Sequence, residues 1–228
     1  MKEVKVTLPR NLGDITLGQY QKYEQLLAEN AGAEQERFMQ LKMIEIFCGV
    51  KFEEAQKMKM VVFSEVIESL YATLNEKPKL VQSFYLGDTE FAFIPDLENM
   101  TFGEYVDLEQ FIGDIKDLHK AIAVLYRPVK QRVKEKYLIY DYEGDMYHET
   151  MKNAPMDACA SAMLFFWTLG IDCLTVILKS SKLKQKDKEA INLLQQQKVL
   201  AKNGVGSVRY LNSLTTILQD LNQSQNLE

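Results

Sequence analysis

Two histidines, His119 and His148, are all the chain offers for imidazole chemistry. His119 falls within the apolar helical pattern of Leu118, Ile122 and Leu125, where a structural histidine held by hydrogen bonds is expected before a general base. Asp141, Glu143, Asp145 and His148 bring oxygen and imidazole donors together in one short loop. The ordered acid spacing and the downstream bidentate glutamate of a calcium loop are missing, so no metal site is expected there. Glu104 and Asp107 could form an acid pair, or Tyr105 act as a nucleophile, but a helix cap already accounts for their spacing. Gly204-Val205-Gly206 lacks the Lys-Ser or Lys-Thr partner of a phosphate loop and reads as a helix break. There is no Cys-x-x-Cys pair, His-Glu-x-x-His motif or Gly-x-Ser-x-Gly elbow. No catalytic or cofactor-binding residue is expected, and the chain reads as a non-enzyme.

The elements around these residues are more informative. Residues 15–27 and 100–112 repeat one pattern: Thr16, Gly18, Tyr20, Glu24 and Gln25 recur as Thr101, Gly103, Tyr105, Glu109 and Gln110. In each copy a Thr stands three residues before Gln19 or Glu104, the spacing of a capping box. Ile15 and Met100 precede the caps and can pack on Tyr20 and Tyr105 as hydrophobic staples. Gly18 and Gly103 in the first turns permit close approach of another backbone. A second helix follows each start, one from about Gln35 to Gly49, the other from about Lys116 to the Pro128 region. The pattern predicts a duplicated, capped helical hairpin with halves at about 15–50 and 100–129.

At 228 residues, with 46 % hydrophobic and 26 % charged residues, the chain can bury a real core. A net charge of −5 argues against a general nucleic-acid binder. Two basic runs stand out, Arg127 to Lys136 and Lys179 to Lys188, as solvated surface or as docking faces for an acidic partner or DNA. Cys48, Cys159 and Cys173 lie in apolar helical patterns and read as free buried thiols of a reducing compartment. Cys159 and Cys173 would lie about 21 Å apart along one helix, too far to bridge. The first residues lack the apolar core of a signal peptide.

Taken in order, residues 2–8 alternate like a short strand or extended arm, and Phe52 to Leu74 reads as one amphipathic helix with Met58 and Met60 as core filling. Residues 80–94 form a β-hairpin around Gly87-Asp88, with Phe84 and Leu86 facing Phe91 and Phe93. A weaker hairpin is expected from Tyr137 to His148, turning at Glu143-Gly144-Asp145. Residues 158–178 are the most apolar stretch. Asp172 inside it and the preceding Pro155-Met-Asp start favour a helix buried among others, or in a subunit interface, over a membrane span. The expected fold is mainly α, a helical bundle with one or two small β-hairpins and α+β character as a minor component. Residues 1–181 would form the domain and 182–228 a helical tail.

The segments Phe91-Ala-Phe-Ile-Pro-Asp-Leu, Met100-Thr-Phe-Gly-Glu-Tyr-Val-Asp-Leu, Leu118-His-Lys-Ala-Ile-Ala-Val-Leu-Tyr-Arg-Pro-Val and Ala162-Met-Leu-Phe-Phe resemble proteins of tailed bacteriophages, notably crAss-like phages. The resemblance spans roughly residues 80–170. It implies a virion structural role, best fitted by a head-to-tail connector or neck ring protein beneath the portal, assembled in the host cytoplasm. The partners so implied are further copies of the chain in a closed ring, the portal and other tail or neck proteins, and DNA passing through the channel without sequence recognition. No cofactor and no membrane are expected. Heterologous contacts in such a ring would bury exposed apolar surface. Candidate interface residues are Phe84, Phe91, Phe93, Phe165, Phe166, Trp167, Arg127, Lys130 and Arg132. The alternative is a tail assembly chaperone or scaffold-type factor, absent from the mature virion, whose Met-rich helix shields a partner.

Overall fold

Thr16 and Thr101 both start helices through complete capping boxes in the computed structural model, which describes residues 6–30, 35–96 and 100–166. Gln19 N–H donates to Thr16 Oγ1 at 3.2 Å while Thr16 N–H donates to Gln19 Oε1 at 2.9 Å. Glu104 N–H donates to Thr101 Oγ1 at 3.3 Å, and Thr101 N–H donates to Glu104 Oε2 at 2.6 Å. Each box satisfies two of the orphan donors of a helix N-terminus, which is why the spacing alone locates both starts. The helices are α1 (Leu17–Glu29) and α5 (Phe102–Ile112). Each packs against the helix that follows, α1 on α2 (Glu36–Cys48) and α5 on α6 (Leu118–Leu125). Gly49, at φ 67°, closes α2 in the left-handed conformation that glycine adopts without a Cβ penalty.

The two copies diverge in their surroundings. A Cβ on Gly18 would stand 3.0 Å from the Lys152 carbonyl oxygen, so the first copy uses its glycine for close backbone approach. Gly103 has open space at the same place. Ile15 is fully buried, whereas Tyr105 is 54 % exposed and leaves much of its ring in solvent.

The fold class differs from the sequence expectation. Strands β1 (Ser83–Leu86), β2 (Thr89–Phe93), β3 (Tyr126–Val133) and β4 (Lys136–Ile139) form one antiparallel sheet in the order β1-β2-β3-β4. The chain is α+β, not a mainly helical bundle with accessory hairpins. The overturning segment is β3. Sequence periodicity carries α6 on towards Pro128, but the helix stops at Leu125 and Tyr126 is already extended at φ −114°, ψ 119°. Proline at 128 disfavours a helical Arg127 and removes a donor, and it sits beside a bulge between Val129 and Gln131, where a strand tolerates it. β3 then pairs with β2 at Phe93↔Tyr126 and Phe91↔Pro128, fusing two hairpins into one sheet.

Three further expectations are corrected. The second hairpin turns at Lys134-Glu135, not at Glu143-Gly144-Asp145, and Gly144 to Tyr147 is a 3-10 turn. The helix expected over Phe52 to Leu74 is two helices, α3 (Phe52–Ala55) and α4 (Met60–Leu74). Residues 6–8 form no strand, and residues 1–5 lie outside the described residues.

Aromatic rings fill one face of the sheet. Phe84, Phe91, Phe93 and Tyr126 lie on it, with Phe84 5.0 Å and Phe93 5.3 Å from the Tyr126 ring. The last described helix, α7 (156–166), covers this face: Phe165 meets Phe93 at 5.5 Å, and Tyr126 donates its hydroxyl to the Ala158 carbonyl at 3.3 Å and to that of Val81 at 2.6 Å. From 158 to 163 the helix is buried throughout, as expected for the start of the apolar stretch; residues 167–178 lie outside the described residues. On the opposite face Ala92 and Arg127 pair across β2 and β3, and Arg127 reaches Glu104 of α5. One continuous core runs from Leu12 to Met163. The expected boundary at 181 and the tail beyond it fall outside the described residues.

Candidate interaction surface

Beyond Pro128 the sheet narrows to two strands. The outer parts of β3 and β4 form a ribbon whose residues from Lys130 to Lys136 are all exposed. The register places Gln131 opposite Leu138 and Val133 opposite Lys136, so Gln131, Val133, Lys136 and Leu138 share one face. Val133 and Leu138 on that face are 60 % and 61 % exposed. With Pro95 they line an open recess of about 620 Å³. Arg132 and Tyr137 stand on the other face, the guanidinium 5.0 Å from the ring centre. The Tyr137 hydroxyl donates to the Phe93 carbonyl at 2.7 Å and roots the ribbon in the sheet.

The basic run divides into spent and free charges. Arg127 is buried against Glu104, Nη1 to Oε1 at 2.6 Å. Arg132 makes a two-pronged bond to Glu90, with Nε to Oε2 at 3.1 Å, and this holds the Glu90 carboxyl below its usual range. Lys130 lies 5.9 Å from the Tyr140 ring. Among the described residues Lys130, Lys134 and Lys136 have no ion-pair partner within 4 Å.

Beside the ribbon lies a surface of opposite sign. The chain leaves β4 through Tyr140 into Asp141, Glu143 and Asp145, all exposed, and Met146 is 57 % exposed. The Tyr142 hydroxyl donates to Asp107 Oδ2 at 2.9 Å and fastens this loop to α5. On the exposed side of α5 are Phe102, 82 % exposed, with Tyr105, Val106 and Glu109.

The residues expected at an interface scatter. Phe84, Phe91 and Phe93 are core rings, because α7 and Tyr126 cover the face they share. Phe165 and Phe166 are half-buried against Phe93, and Trp167 lies outside the described residues. Arg127 is interior. Only Lys130 and Arg132 reach the surface on the ribbon. Sequence reasoning missed Val133, Leu138 and Phe102. The alternation through Gln131 to Leu138 was a strand signal, obscured by a turn with no Gly or Asn.

Of the other chemistry-bearing groups described, the two histidines and the two cysteines are packed into the fold, and the buried His148 Nε2 has no hydrogen-bond partner among the described residues. His119 is buried; Gln21 donates from Nε2 to its Nδ1 at 3.1 Å and to the Ile115 carbonyl at 2.6 Å. Burial depresses the imidazole's proton affinity, aided by the Lys152 and Lys120 charges and opposed by Glu149 and Asp117. His148 packs edge-on to Phe111 at 5.6 Å and is likewise depressed by burial. Among the described residues no group of three or more His, Cys, Asp or Glu is placed to hold a metal ion. Cys48 and Cys159 are free thiols; burial pushes Cys48 up to about 11 and Cys159 higher still, so neither is primed as a nucleophile. Cys173 lies outside the described residues. No helix among the described residues is long and apolar enough to cross a membrane.

A smaller groove of about 370 Å³ lies between α2 and the start of α4, lined by Leu41, Met58, Met60 and Phe63 together with Arg37, Gln40 and Gln56. Compared with known proteins, the chain matches no family model, no curated protein and no solved structure.

Proposed function

We propose that the chain is a non-catalytic subunit of a tailed-phage particle, part of the head-to-tail connector beneath the portal, working through contacts with other copies and with portal or neck proteins. The observation that carries the subunit reading is the projecting ribbon, which holds Val133 and Leu138 in solvent while its own roots are locked by Tyr137 and Arg132. An anchored projection with exposed apolar side chains and lysines that have no ion-pair partner among the described residues is suited to docking. The phage assignment rests on the resemblance over residues 80–170. The virion and, before it, the host cytoplasm are the corresponding locations, and DNA in the channel would pass without sequence-specific contact.

A second reading has its own support. The groove bearing Met58 and Met60 mixes these flexible apolar side chains with Arg37, Gln40 and Gln56, a surface on which a tail assembly chaperone or scaffold-type factor could shield a partner. Quantitative mass spectrometry of purified, DNA-filled particles against lysate from the same infection separates the two. A copy number comparable to the portal subunit upholds the connector reading; abundance in lysate with absence from particles replaces it with the chaperone.

A further inference from the structure

Charge is distributed unevenly along this chain. Residues 126–140 hold five cations (Arg127, Lys130, Arg132, Lys134, Lys136) against one acid, Glu135, a net of +4. With −5 for the whole chain, the remainder carries −5 − 4 = −9. Exposed acids follow the ribbon directly in the chain at Asp141, Glu143 and Asp145, in the loop that Tyr142 fastens to α5, which exposes Glu109. Both surfaces also expose apolar side chains, Val133 and Leu138 on the ribbon, Phe102, Val106 and Met146 on the acidic side.

We infer that the ribbon docks on the acidic face of a second copy of this chain, setting Lys134 and Lys136 against Glu143 and Asp145 and burying Val133 and Leu138. The occupant follows from charge complementarity. A free cationic ribbon on an acidic protein seeks an anionic surface, and every further copy supplies one with apolar groups at matching exposure. Each copy carries both halves of the contact, so it can close reciprocally in a two-fold pair or pass from copy to copy around a ring. Among the described residues Lys134 and Lys136 have no ion-pair partner within 4 Å, unlike Arg127 and Arg132, which leaves them for this use. The inference deepens the subunit reading by naming the contact; it does not depend on the phage assignment.

The test is sedimentation of the purified full-length chain at micromolar concentration, with salt raised from ~0.05 to ~0.5 M, over which screening of exposed charges shortens from beyond 10 Å to a few Å. The wild type should sediment above monomer mass at low salt and dissociate at high salt. Lys134→Glu with Lys136→Glu, and separately Glu143→Lys with Asp145→Lys, should each weaken association at least ~10-fold, and the combined four-site variant should recover it. All of these positions are exposed, and the wild-type salt series needs no variant. A wild type that stays monomeric at low salt, reversals without effect, or a combined variant that stays dissociated would each overturn the inference. So would a ribbon whose lysines are needed to retain double-stranded DNA while self-association is unchanged. A monomeric chain that is nonetheless stoichiometric in particles would sink this contact and leave the connector reading standing.

Discussion

Glu104 serves two elements at once: its Oε2 accepts the Thr101 N–H at 2.6 Å and its Oε1 accepts Arg127 Nη1 at 2.6 Å. The helix cap of α5 is thereby bonded to the first turn of strand β3. The first copy of the repeat uses the same position in the same way. Gln19 caps α1 with Oε1 and donates from Nε2 to the Ile46 carbonyl at 2.8 Å, near the end of α2. In both copies the third helical residue ties its helix start to a residue near the far end of the following helix, Ile46 within α2 in the first copy and Arg127 just past α6 in the second. The two segments thus share this device as well as the repeated residues.

Because Glu104 and Arg127 are both more than nine-tenths buried, removing one partner strands the other charge. Glu104→Gln is expected to destabilise the fold by about 3–5 kcal/mol, and Glu104→Gln with Arg127→Met to restore a large part of it. Urea denaturation of the three proteins checks this. Equal stability of single and double variants would show that the pair carries no such coupling.

The aromatic sheet face is core, so charge there acts on folding before it acts on assembly. Phe91→Ala should cost about 3–5 kcal/mol. Phe91→Asp should yield a chain without a cooperative thermal transition by circular dichroism. A folded Phe91→Asp protein would place this face outside the core.

The glycines of the two capping boxes give opposite expectations. Gly18→Ala forces a Cβ to 3.0 Å from the Lys152 carbonyl oxygen and should destabilise by about 1–3 kcal/mol. Gly103→Ala meets no atom within 4 Å and should be neutral or stabilising by up to about 1 kcal/mol. Thermal melts of the two single variants decide it.

These contrasts show which parts of the structure were local enough to read in sequence. Both capping boxes and the Gly87-Asp88 hairpin were legible because each is specified within a few residues. The sheet was not, because the partner of Tyr126 is Phe93, more than thirty residues upstream in the chain. An apolar run from Leu118 to Tyr126 fits a helix equally well until that partner is known. The interface residues failed for a related reason. Alternating phenylalanines announce a buried face but not its cover, and α7 supplies the cover from residues 156–166. The ribbon turn was missed because Lys134 adopts φ 56° where Gly or Asn is customary.

That backbone strain is itself measurable. At high salt, where the chain is monomeric, Lys134→Gly should stabilise the ribbon by about 1 kcal/mol. Amide exchange at Leu138 and Ile139 would slow relative to wild type. Unchanged or faster exchange would mean the left-handed lysine is unstrained.

His119 sets a pH dependence. It titrates near 6.5 in an unfolded chain and lower in the fold, so the unfolded state binds more protons as acid is added. The His119 contribution to stability should therefore be level above about pH 6.5 and fall as pH drops below it. His119→Asn keeps an acceptor for Gln21 and should flatten the slope between the unfolded imidazole range and the onset of carboxylate titration. Urea midpoints across that range provide the check; an unchanged slope would assign it elsewhere, His148 first.

We propose that this chain is built into the particle at its head-to-tail junction. Cryo-electron microscopy of purified particles, reconstructed around the portal and neck, tests it most directly. The account predicts density for the four-stranded sheet and its projecting ribbon, repeated around the axis beneath the portal. A junction whose density is fully accounted for by other chains would contradict it.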